Sequence, residues 1–122
     1  MFIHNLNCEQ QAVLLFLAHE VAKADGFLHE QQIEMMEILQ QQSIDGVIET
    51  EAAVADLPRI FDSGKAKSSA LLELLGIAHA NREYHVNERD LISCYAQAMN
   101  ISTEKLLALK AWTESNCLYI RK

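Results

Sequence analysis

The chain has 122 residues, half of them hydrophobic, with 17 acidic residues against 10 Lys and Arg and a formal charge of -7. That length and apolar content suit one folded domain over residues 1–122, because two separate cores would each be too small to be stable. The negative balance excludes non-specific attraction to nucleic-acid phosphates or anionic lipid, which needs a basic face, and favours cations or basic protein partners.

A single proline and four glycines, with Leu, Ala, Glu and Gln abundant, favour helix over sheet, and no stretch alternates convincingly as a strand. The opening "MFIHNLNCEQ" lacks a basic segment followed by an apolar core, so no signal peptide is expected. The first helix can start at Asn7, a capping residue answered three positions later by Gln10, and run to about Ala24, where Gly26 can end it. Its run "AVLLFLA" is too short to span a bilayer and lies between Glu9 and Glu20, so direct membrane insertion is not expected and a cytoplasmic location is.

A second helix from Glu30 to Gln42 places Ile33, Met36 and Leu39 or Gln40 inward, with Glu34, Glu37 and Gln41 outward. Thr50 can cap a short third helix that stops before Pro58, and "FDSGKAKSS", Phe61 to Ser69, reads as a flexible connection. The fourth helix, Ala70 to Ala80, is nearly all apolar like the first, which predicts that the two lie side by side at the centre. Asn87 can cap a fifth helix with Asp90 three residues on, and Asn100 can end it. Ser102 opens the last helix, Thr103 to about Asn116, with Leu106, Leu109 or the Lys110 stem, and Trp112 or Thr113 inward. The expectation is an all-α fold of five to seven helices.

A shift of 56 residues lays Leu15, Phe16, Val21, Ala22, Ala24 and Asp25 on Leu71, Leu72, Ile77, Ala78, Ala80 and Asn81. A two-residue insertion then pairs Leu28, Glu30 and Ile33 with Val86, Glu88 and Leu91. Each half is a buried helix, an acidic turn and an amphipathic helix, so two pseudo-symmetric hairpins packed as a compact bundle would bring the turns together at one end.

On "AKADGFLHEQQI", "IAHANREYHVNERDLI" and "MNIS" the chain resembles the TerB-like family, the tellurite-resistance type of helical domain, related also to the N-terminal module of a membrane-anchored DnaJ-like co-chaperone. The resemblance covers about Val13 to Trp112 and implies a stress-related or envelope-associated role. Ala24, Asp25 and Gly26 match the first motif, whereas Gln32 stands where an acid is usual and Asn81 and Arg82 replace Asp-Gly in the second half. The resemblance also implies cation binding through the acidic turns.

As an EF-hand the first turn fails, since counting from Asp25 the third residue is Phe27 and the twelfth Met36. A cation would be shared between the halves, drawing on Asp25, Glu30 and Glu20 together with Asn81, Glu83, Glu88 and Asp90. Oxygen ligands favour magnesium, calcium or manganese over zinc, and His29, His79 and His85 lack the i, i+4 spacing of a zinc pair. Each acid near a helix start also complements the helix dipole without any metal. Cys8, Cys94 and Cys117 are an odd number without paired spacing, and neither a nucleophile elbow nor a phosphate loop is present.

Met35 and Met36 are adjacent and cannot both face the core of one amphipathic helix, so with Ile38 one of them is a candidate contact surface for a protein partner or a homo-oligomer. The sequence therefore favours a non-catalytic module working through protein contacts. The alternatives are a small metal-dependent sensor or enzyme at the acidic end, and a dimerising scaffold using the Met35 face.

Overall fold

The structure, a computed structural model, describes residues 2–24, 26, 29–80 and 86–116. Among these residues there are six α-helices and no strand. A short 3-10 turn over Phe2–Asn5 precedes helix α1 (Cys8–Ala22). Asn7 starts α1 as its sequence predicts, accepting the Gln10 N–H at 2.8 Å while the Gln10 side chain accepts the Asn7 N–H at 3.0 Å. Past its end Gly26 holds φ +99°, a conformation that strains any residue with a Cβ. Helix α2 (Glu30–Gln42) has the predicted bounds.

The next segment departs from expectation. Thr50 caps nothing; its N–H bonds the Ala12 carbonyl at 3.0 Å and its hydroxyl turns back to the Ile48 carbonyl at 2.9 Å. A 3-10 turn over Val54–Asp56 leads into α3 (Leu57–Ile60), and Pro58 sits in its first turn instead of beyond its end. Proline is at home there, where its missing N–H would have no helical acceptor. Helix α4 (Gly64–His79) likewise begins well before Ala70, because Ser63 caps it by accepting the Ala66 N–H at 3.1 Å.

In α5 (Val86–Ala98) Asn87 lies inside the first turn, not at the cap, and its amide donates across to the Ala24 carbonyl at 3.1 Å. Asn100 ends α5 as expected. Its φ is +61°, with Ile101 N–H on the Ala96 carbonyl and Asn100 N–H on the Gln97 carbonyl, the paired bonds of a Schellman terminus. Ser102 then caps α6 (Thr103–Ser115) through the Lys105 N–H at 3.1 Å.

Helix α4 is the hub, packed by α1, α2, α5, α6 and the N-terminal 3-10 turn. Leu14, Leu17, Phe61, Leu71, Leu74 and Leu75 form the fully buried centre, where truncating one leucine to alanine costs about 2–5 kcal/mol. Two buried glutamines tie irregular segments to this centre. Gln10 donates to the Ile60 carbonyl at 2.9 Å; Gln11 donates to the Ile3 and Leu6 carbonyls and accepts the Ile44 N–H at 2.8 Å.

The halves form two helical hairpins, α1 with α2 and α4 with α5. Helices α2 and α5 have equal length and lie 56 positions apart, so the two-residue insertion in the sequence alignment is not needed. The buried residues confirm that register: Gln32 and Leu39 of α2 fall on Glu88 and Tyr95 of α5.

Candidate functional site

At one end of the bundle the two hairpins meet through Gln32, which stands where the resembled motif has an acid, and Glu88, a candidate cation ligand. Gln32 and Glu88 are fully buried, and the Gln32 Nε2 donates to Glu88 Oε2 at 2.6 Å. The same amide nitrogen reaches the Ile77 carbonyl at 3.4 Å, and its Oε1 accepts the His29 N–H at 3.4 Å at the head of α2. An amide can do this and a carboxylate cannot, because only the amide both accepts from the helix start and donates to the neighbouring carboxylate. Gln32 thus takes the inward position expected for Ile33, which is pushed out to 38% exposure.

This arrangement redistributes the expected cation ligands. Glu88 is turned into the protein, Glu30 is exposed, and Asp90 is exposed beside Arg89 at 3.5 Å. Glu20 lies 3.4 Å from Lys23. Asp25, Asn81 and Glu83 lie outside the described residues, as do Arg82, His85 and Cys117. Among the described residues no three His, Cys, Asp or Glu side chains converge as a metal cage. His79 is buried at the end of α4, its Nδ1 2.8 Å from the Leu75 carbonyl and its Nε2 3.7 Å from Glu114 of α6.

The α2 surface is the second feature. Only Gln32 and Leu39 are buried along this helix, while Met35 and Met36 straddle the inward line and rest half-buried against the core. Ile38 is also half-buried. On the other flank of α2, Ile33, Met36, Glu37 and Gln40 border an open groove of about 280 Å³ whose far side is His19 and Glu49, 3.6 Å apart. A smaller cleft of about 180 Å³ lies along α1 between Glu9, Thr50, Glu51, Asp56 and Arg59, and Arg59 reaches Glu9 at 3.8 Å.

Cys8 and Cys94 are exposed. Tyr95, beside Cys94, is buried; burial pushes its hydroxyl up from the ordinary 10 to about 12, with negative charge at Glu20 and then at Cys94 adding to the effect. No helix among the described residues is long and apolar enough to cross a membrane. Comparison with family models, curated proteins and solved structures finds no match for this chain.

The sequence carried one signal for the buried pair that went unread. Gln32 follows Asp25 by the same interval as Glu88 follows Asn81, and an uninterrupted shift of 56 puts one on the other.

Proposed function

We propose that this chain is a non-catalytic TerB-like helical module, stress-related, that works by holding another protein against the Met35 and Ile38 side of α2. The observation that carries this reading is the thin burial of α2, a helix of 13 residues with only Gln32 and Leu39 fully covered. Met35 and Ile38 lie on one flank of α2, each half-buried, and an apolar patch of that kind offers a contact surface. The membership and the stress-related role rest on the motif resemblance at Ala24, Asp25 and Gly26. A divalent cation belongs to this reading only at the turn ends, where Asp25, Glu30, Asn81 and Glu83 would hold it, since Glu88 is committed to the Gln32 amide. Magnesium, calcium or manganese would suit those oxygens.

The test is photo-crosslinking in the native host from a reactive residue at position 38, with position 41 on the exposed side of the same helix as control. The expected result is one protein captured from position 38, not from position 41, and lost on substitution of Met35 by Gln. Equal capture from both positions would overturn the proposal.

A further inference from the structure

Helix α6 is apolar on two opposite sides. Leu106, Leu109 and Thr113 are buried against the bundle, yet Leu107 is 56% exposed, Trp112 43% exposed, and Ala108 and Ala111 are exposed between them. At 100° per residue, Glu104, Ala108, Ala111 and Ser115 run down the line diametrically opposite the buried one, with Leu107 and Trp112 flanking it. With one side of α6 already buried, the apolar residues on its outer side form a patch open to a partner. The Trp112 ring is held in place by Phe2, edge to face at a centroid distance of 5.4 Å.

We infer that this outer face of α6 docks a second copy of the same chain, the two α6 helices running antiparallel about a twofold axis. Charge chooses the occupant. Each copy carries -7, so self-association needs a face where like charges do not accumulate. On α6 Glu104 and Glu114 are offset by Lys105 and Lys110, whereas exposed Ile33 stands among Glu30, Glu34 and Glu37, exposed Ile44, Ile48 and Val54 stand among Asp45, Glu49, Glu51 and Asp56, and exposed Val86 has no second exposed large apolar residue on α5 among the described residues. The seam is also self-complementary. Its spacing is symmetric about the midpoint between Ala108 and Ala111, so antiparallel pairing sets Ala108 against the partner's Ala111 twice over. Small residues there let the axes approach to about 8 Å, and Leu107 and Trp112 close the two margins. One helix pair buries less than the roughly 800 Å² per partner of a standard interface, so a weak, reversible dimer is expected.

This inference does not rest on the α2 surface proposed above, and its readout is self-association, not partner capture. Trp112 is the chain's single tryptophan, so the proposed seam carries its own probe. Sedimentation equilibrium and tryptophan emission of the full chain are measured from about 1 µM to 1 mM, the span over which a weak dimer dissociates. The expected result is a monomer–dimer transition with a blue shift of Trp112 emission over the same concentrations. Ala108→Glu should raise the dissociation constant at least about tenfold, and Ala111→Glu should do the same independently, with helix content unchanged in both. A chain monomeric throughout, or a dimer insensitive to both substitutions, would overturn it.

Discussion

Replacing Gln32 with Met keeps the side-chain length but removes the donor to Glu88 and the acceptor for the His29 N–H. Leaving a buried polar group without its partner costs about 1–3 kcal/mol, and full burial of both residues puts this pair toward the upper part of that range. The expected loss is about 2–3 kcal/mol, because the buried carboxylate keeps its desolvation cost while losing a donor. For a chain of this size each kcal/mol moves the midpoint by about 4 °C, so melting should fall by roughly 8–12 °C. Glu88→Met should cost a similar amount, and the double substitution should cost clearly less than the sum, since neither the amide nor the carboxyl is then left buried without the other. Urea unfolding followed by far-UV circular dichroism measures all three. If Gln32→Met stays within about 0.5 kcal/mol of the parent, or the double variant is additive, the hairpins are not joined through this pair.

Two further outcomes follow from local geometry. Tyr95 ionises near 10 in the unfolded chain and only near 12 in the fold, so its contribution is intact below pH 10 and falls as pH rises toward 12. The loss is about 2–3 kcal/mol over that window, and Tyr95→Phe should flatten the alkaline limb of a stability-versus-pH curve relative to the parent; unchanged limbs would contradict the burial of the hydroxyl. Asn100 occupies the left-handed region at φ +61°, so Asn100→Gly should be neutral or slightly stabilising. Asn100→Val should cost about 1–2 kcal/mol, because a β-branched residue is strained there. Thermal melts showing the two variants alike would count against a Schellman terminus at this position.

Helix starts marked by a capping side chain were legible when the residues after the cap read as a helical first turn, as at Asn7 with Gln10 and at Ser102 with Glu104 and Lys105. Ser63 was missed because Gly64, Lys65 and Lys67 read as loop, although the cap and the buried Ala66 make them a first turn. Pro58 was read as a stop because proline breaks helix interiors, yet in a first turn it costs nothing. The central pairing of α1 and α4 was plain from their apolar content, but the inward line of α2 was not. Periodicity assigns the inside to hydrophobic residues, and here the inside position goes to Gln32, whose reason for burial is a carboxylate 56 residues away. The same limit hid Glu88, which read as a shared cation ligand or a dipole-complementing acid until α2 and α5 were brought together. On α6 the letters offered Trp112 or Thr113 for the inner side, and the choice of Thr113 requires the bundle.

The most direct measurement of the contact role is the affinity of the protein captured from position 38, titrated calorimetrically against the parent chain and against Ile38→Asp and Gln41→Asp. The account predicts that Ile38→Asp weakens binding at least about tenfold, about 1.4 kcal/mol, while Gln41→Asp leaves it unchanged. Equal affinities for the parent and Ile38→Asp would contradict it.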